Sequence, residues 1–242
     1  MKIIVFGATG NTGKRLLAQG IKMGHEMTAF VRNSEKLYAQ LSEHSAMHVK
    51  VIVDDIMDPV SVAKALAHQD AAIIAAGHAG QGDEFVRIVD NIISQCEIQP
   101  SFSGRVWIMG GAGLLDIPYT EFIGNNLPGF PPEYRNHNRN FERLQQTHLD
   151  WSIMCPGTMI NSIEQPDEVR LYATAETLPI PIPETIKDFS EADIAGYLFS
   201  RFQELNVAYE DVAAFMLDHL ELEGAFARKR VGLAYDHDHK DR

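Results

Sequence analysis

The sequence predicts an α/β fold, a doubly wound parallel sheet with helices on both faces and a small C-terminal lobe. Three observations carry that reading. Short β-branched runs alternate with helical patterns as far as Gly157, the first run ends in a glycine loop that opens a helix, and a proline-rich stretch replaces the alternation afterwards. We read residues 1–242 as a single domain with a core at 1–157, a small lobe at 158–235 and a tail at 236–242.

The elements follow in order. Lys2 to Phe6 is a strand-sized apolar run that stops at Gly7, and Thr12 to Gly24 carries Leu16, Leu17 and Ile21 at helical spacing. Met27 to Val31 reads as the second strand and Ser34 to His44 as one helix behind a serine cap. His48 to Val53 is the third strand, and Pro59 to His68 is a helix with proline in its first turn. Ala71 to Ala76 is the fourth strand. Glu84 to Glu97 places Phe85, Ile88, Val89, Ile92 and Ile93 on one helical face. Arg105 to Met109 and Trp151 to Cys155 read as buried strands, with a loop and the helix Glu133 to His148 between them. The lobe opens with prolines from Pro166 to Pro183 and continues into helical segments near Glu191 to Phe202 and Tyr209 to Leu222. The tail from Asp236 to Arg242 alternates acid and imidazole and reads as a solvated end rather than a metal site.

At 242 residues and 45% hydrophobic, the chain can bury one sizeable core. A net charge of −12 repels phosphate backbones and anionic membranes, which argues against nucleic acid or a membrane surface as partner. No run approaches the length of a membrane span, and the first residues lack the pattern of an export signal. Cys96 and Cys155 sit far apart in apolar contexts, as buried free thiols of a reducing compartment do, so the expected location is cytoplasmic.

Gly7-Ala8-Thr9-Gly10-Asn11-Thr12-Gly13 is a GxxGxxG loop between strand and helix. Glycine serves a tight turn, backbone approach to a pyrophosphate, and close packing of helix on sheet, while the helix N-terminus offers free N–H groups to the phosphates. A Walker-type loop is excluded because Arg15 follows Gly13-Lys14. At the end of the second strand, where an NAD site places a carboxylate, the chain has Val31-Arg32-Asn33-Ser34. Arg32 can pair with a 2′-phosphate, so the expected cofactor is NADP, with NADPH preferred over NADH. Asp55 has two readings, a bond to the adenine amino group or an acidic turn ahead of Pro59. Ile56 beside it after the third strand, Ala76 and Gly77 at the end of the fourth, and Pro156 after the sixth complete the expected cofactor set.

The opening through Gly13, the Val31-Arg32 turn, Asp55-Ile56-Met57-Asp58, Gly110-Gly111-Ala112-Gly113 and Leu149 through Gly157 together resemble the atypical short-chain dehydrogenase/reductases of the NmrA-like, NADH-flavin-reductase-like and biliverdin-reductase-B-like group. The resemblance covers most of the chain and is densest before Gly157. It implies a Rossmann fold, a dinucleotide at the strand C-termini, and either reduction of flavins and similar acceptors or cofactor sensing without turnover.

The departures bear on mechanism. Short-chain dehydrogenases carry a Tyr-x-x-x-Lys pair, whereas here Tyr134 is followed at that spacing by Asn138, and no lysine lies between Lys64 and Lys187. The serine or threonine that many relatives keep past the fifth strand is replaced by Gly110-Gly111-Ala112-Gly113. The catalytic candidates are therefore Tyr134, His137, which the resemblance aligns with a histidine of the biliverdin-reductase-B-like branch, and His78 after the fourth strand. A solvated histidine at a polar helix start is the competing reading of His137. No histidine pair or Cys/His cluster has metal-ligand spacing, so no metal is expected.

Two functions remain. One is an NADPH-dependent reductase passing hydride to a small acceptor, a flavin or quinone-like ring, with flavin as substrate rather than bound group. The other is an NADP-binding redox-sensing module without turnover. A homodimer is compatible with either. The acceptor pocket should come from Gly111 to Pro132 and from Met159 to Pro183.

Overall fold

The computed structural model describes residues 1–161 and 170–236. In chain order the elements are β1 (Lys2–Phe6), α1 (Asn11–Lys22), β2 (Glu26–Val31), α2 (Ser34–Tyr38), α3 (Glu43–His48), β3 (Lys50–Val53), α4 (Pro59–Leu66), β4 (Ala71–Ile74), α5 (Asp83–Ile98), β5 (Arg105–Met109), α6 (Arg135–Gln145) and β6 (Asp150–Pro156). They continue with β7 (Met159–Ile160), β8 (Leu171–Ala175), α7 (Glu191–Arg201), β9 (Val207–Ala208), α8 (Tyr209–Asp218) and β10 (Lys229–Tyr235).

Eight strands form one sheet in the order β3-β2-β1-β4-β5-β6-β10-β8, and β7 with β9 makes a separate parallel pair. All neighbours in the large sheet are parallel except β8, which runs antiparallel to β10. β1 shows why the sheet is covered twice. Successive residues of a strand point to opposite faces, so Ile3 and Val5 join the core under α1 and α8, while Ile4 and Phe6 join the core under α4, α5 and α6. All four are fully buried, and each contributes about 1.5–3 kcal/mol of apolar burial.

Three expectations change. The single helix expected at 34–44 is two: the first ends at Tyr38, and Ser42 caps the second by accepting from the Ser45 N–H at 3.2 Å. Asn33, not a serine, caps the first, and His48 closes α3 instead of opening β3. The helix expected from Glu133 starts as a 3-10 turn at Pro132–Tyr134, because proline fixes the backbone there, and its α-helical part ends at Gln145. Beyond Gly157 the chain does more than form helices. β10 lies beside β6 and β8 beside β10, so this part of the chain extends the main sheet. The tail from His237 lies outside the described residues.

Arg105, only 1% exposed, is the largest buried polar commitment. Its guanidinium donates to Ser152 Oγ at 3.0 Å, to the Asp150 carbonyl at 3.1 Å and to the His219 carbonyl at 2.8 Å. Trp107 Nε1 donates to the same His219 oxygen at 2.9 Å, so the chain just past α8 is pinned to β5. Cys96 and Cys155 are free and buried, and burial pushes both thiols up.

Candidate functional site

β1 ends on Gly7, whose φ of +83° belongs to the left-handed region that glycine enters without strain. A Cβ there would stand 2.3 Å from the Ala75 carbonyl oxygen. Gly7 in turn accepts from the Gly10 N–H at 2.9 Å, closing the loop. Gly10 is the N-cap of α1 and brings no side chain, and the first turn of α1 holds no acidic residue. Helices α2, α3, α4 and α7, by contrast, are capped by Asn33, Ser42, Asp58 and Ser190. The N-terminus of α1 therefore presents amides and a positive dipole end that no side chain of its own neutralises. Thr12 and Gly13 are buried behind the loop, with Thr12 Oγ1 donating to Met159 Sδ at 3.9 Å.

In front of the loop is a cleft of about 530 Å³ at the C-terminal ends of β1 to β4. It lies where strand order reverses, since β2 and β4 flank β1 and the chain winds outward in both directions. The cleft brings together Gly7, Thr9, Gly10, Arg32, Asp55, Ile56, Ala76, Gly77 and His78 from the expected set. Arg32 is exposed and, among the described residues, makes no ion pair. Asp55 accepts from the Met57 N–H at 2.9 Å, so one carboxylate oxygen already closes its own turn. Gln81 and Glu84 line the cleft as well. Sequence reading missed both, although their place after the fourth strand, Gln81 in the turn that follows it and Glu84 in the first turn of α5, was the available signal.

The remaining expected residues lie elsewhere. Asn11 is exposed at the first position of α1, outside the cleft lining. Pro156 is buried at the end of β6, opposite Leu233 of β10. Tyr134, His137 and Asn138 sit near the turn after β5. A Cβ on Gly111 would come 4.0 Å from His137 Nε2, and the imidazole meets the Phe85 ring edge-on at 5.4 Å. Burial against these groups pushes the His137 pKa down to about 4, so at neutral pH the ring is uncharged. This corrects the expectation of an ordinary histidine bathed in solvent. Tyr134 is 44% exposed, with its ring 6.5 Å from that of His137.

Asn138, at the place of the absent lysine, is a brace. Its Oδ1 accepts from Asn125 Nδ2 at 2.8 Å, and its Nδ2 donates to Asn126 Oδ1 at 3.0 Å. Asn136 Nδ2 donates to the Ala79 carbonyl at 2.9 Å, which joins the start of α6 to the turn that carries His78. That turn closes on itself, because Gln81 Oε1 accepts from the His78 N–H at 2.9 Å. Two of the catalytic candidates' segments are thus brought together, by backbone and amide contacts rather than through the imidazoles. Among the described residues no three His, Cys, Asp or Glu side chains converge as metal ligands, and no helix is long and apolar enough to cross a membrane.

The arrangement can hold a pyrophosphate on the glycine loop and an additional phosphate at Arg32. The closed Cβ space at Gly7, the uncapped α1 and the unpaired guanidinium fit a dinucleotide. The sequence profile of the NAD(P)H-binding family matches residues 7–204. The YwnB protein of Bacillus subtilis is 29% identical over 167 residues, covering 66% of this chain and 74% of its own. Among solved structures, a Streptococcus pneumoniae protein provisionally named an NADH-flavin reductase superposes with a TM-score of 0.69 at 22% identity, covering 98% of this chain and all of the other. A short-chain dehydrogenase/reductase of Veillonella parvula, solved in complex with NADP, superposes at 0.65 with 18% identity, covering 98% of this chain and 95% of its own. At these identities the two structures speak for the fold.

Proposed function

The chain belongs to the NAD(P)H-binding family, and from that premise we propose that it is an NADPH-dependent reductase that passes hydride to a small acceptor, a flavin or quinone-like ring. The observation that carries the reading is Arg32, exposed in the cleft at the end of β2 where an NAD site would place a carboxylate. When bound, the reduced nicotinamide supplies the hydride. The chain's own residues bind and orient: the amides at the start of α1 and the loop from Gly7 to Gly10 take the pyrophosphate, Arg32 the 2′-phosphate, and Asp55 and Ile56 flank the adenine end. His137 is neutral at pH 7 and Asn138 is committed to Asn125 and Asn126, so this corner offers no side chain charged and poised to give a proton. Reduction of a flavin or quinone suits such a site, because solvent can deliver the proton.

The same corner favours a second reading, an NADP-responsive module without turnover. NADPH consumption with flavins, quinones and dyes, measured alongside NADPH titration, separates them. Turnover with any acceptor supports the reductase; intact NADPH binding with no turnover across acceptors rejects it.

A further inference from the structure

β8 is the outer strand of the large sheet and is bonded on one side only, to β10. The register fixes which of its backbone groups are left open. The residues flanking β8 bond to the β10 side: the Asp236 N–H donates to the Arg170 carbonyl at 2.8 Å, and the Glu176 N–H donates to the Arg230 carbonyl at 2.7 Å. In an antiparallel pair every second residue turns its N–H and C=O to the neighbouring strand. Arg170, Tyr172, Thr174 and Glu176 therefore face β10, while Leu171, Ala173 and Ala175 turn theirs outwards. Among the described residues no backbone group bonds to those three from the outer side.

Open strand edges are ordinarily guarded by shortness, a charged side chain, a proline or a bulge. The opposite edge of this sheet is guarded, since β3 has four residues and opens on Lys50. β8 is not. Its five residues carry neither charge nor proline, its register with β10 is unbroken, and Leu171 and Tyr172 are 38% and 52% exposed.

The two ends of the strand point to the occupant. Arg170 is exposed and makes no ion pair among the described residues, and Asp236 is its neighbour across the ladder. Glu176 lies as far beyond Ala173 as Arg170 lies before it, and its φ of +71° turns the chain off the edge. Its carboxylate accepts from Arg230, which is shared with Asp116, and stands 4.0 Å from Lys229 Nζ. A carboxylate so placed keeps acceptor positions open. The edge is thus basic at one end and acidic at the other, symmetrically about Ala173. A second β8 laid antiparallel with Ala173 against Ala173 sets Leu171 against Ala175, so that the three outward residues pair with one another. It also sets Tyr172 against Thr174 and Arg170 against Glu176, each twice. Moving the centre by one residue parts the charges.

We propose that β8 is a dimer interface, where a second copy of this chain adds its own β8 across a two-fold axis at Ala173 and the two sheets become one. The cleft at β1 to β4 stays open in both copies.

Sedimentation of the full chain across a dilution series is expected to show a dimer that dissociates on dilution. Hydrogen exchange followed amide by amide identifies the interface. The amides of Tyr172 and Thr174 should be protected throughout, and those of Leu171, Ala173 and Ala175 only where the dimer forms. Ala175→Pro removes a donor that β10 does not use, at the kind of edge position that tolerates proline, so it should give a monomer with the parent's circular dichroism spectrum. Arg170→Glu should raise the dimer dissociation constant about tenfold, because two attractive pairs become repulsive. A parent protein that is monomeric throughout overturns the proposal. So does protection of the Ala173 amide that is independent of concentration, or a dimer that persists in folded Ala175→Pro.

Discussion

A Cβ on Gly13 would stand 2.2 Å from the carbonyl oxygen of Gly7, whereas one on Gly10 would meet the same oxygen at 3.2 Å and nothing else closer than 4.0 Å. The two glycines of one loop are therefore required for different reasons. Gly13 lets α1 lie on the end of β1, and Gly10 keeps the space in front of the helix clear for a ligand. Gly13→Ala is expected to destabilise the fold by about 3 kcal/mol or more, seen as a lowered urea midpoint. Gly10→Val should stay folded, since the φ of −78° and ψ of 172° suit any residue, yet lose both dinucleotides in a titration. Retained binding in Gly10→Val would contradict the placement of the pyrophosphate.

Arg32 governs the choice between cofactors. NADPH should bind more tightly than NADH, and Arg32→Ala should remove roughly 1.5–3 kcal/mol of that preference while leaving NADH affinity nearly unchanged. Calorimetric titration of both cofactors against both proteins decides it, and equal affinities in the parent protein reject the assignment.

The half of the sheet that carries the cleft was legible because β1 to β6 are short, apolar and separated by helices of their own. The other half was not. β10 opens on Lys229 and Arg230 and contains Gly232, so it lacks an apolar run, and only tertiary structure shows Arg230 buried against Glu176 and Asp116. β8 alternates in the segment Leu171–Ala175, but it stands among prolines that read as loop. His137 illustrates the same limit within the site. Its neutrality depends on Phe85 and on the turn at Gly111, both distant in sequence, whereas its immediate neighbours are polar.

The low pKa of His137 gives a pH dependence with a definite sign. Its folded value is about 4 against an ordinary 6.5, so between those values the unfolded chain holds a proton that the folded chain refuses. Stability consequently falls as pH drops below about 6.5, by at most about 2 kcal/mol at pH 5 from this group. His25, also lowered chiefly by burial, acts in the same direction. His137→Asn should lose less stability than the parent protein between pH 7.5 and pH 5 in urea titrations; identical slopes would show that the imidazole is not held neutral.

The same shift bears on turnover. With its pKa near 4, His137 does not titrate between pH 6 and 8, so kcat against pH over that range should keep its shape in His137→Ala, with only a modest change in KM. A loss in kcat near 10²-fold that grows with pH would instead make His137 the proton donor.

At the opposite end of β5 from the turn at Gly111, Arg105→Met should cost about 3 kcal/mol, because Ser152 and the Asp150 and His219 carbonyls lose a buried cationic donor. NADPH affinity should be unaffected. A urea midpoint equal to the parent's would show that the guanidinium contributes nothing net.

The position of β10 has a consequence for the chain as it leaves the ribosome. β6 ends at Pro156, but the strand that covers its outer edge begins only at Lys229, about seventy residues later. At roughly 5–20 residues per second, a nascent chain whose first six strands have assembled spends about 4–15 seconds with the backbone of β6 unpaired along an edge that the finished fold buries. That interval is a window for chaperones, or for edge-to-edge association between neighbouring nascent chains on a polysome. A chain stopped before Lys229 makes the exposure permanent, and it is expected to aggregate under conditions that keep the full-length protein dispersed.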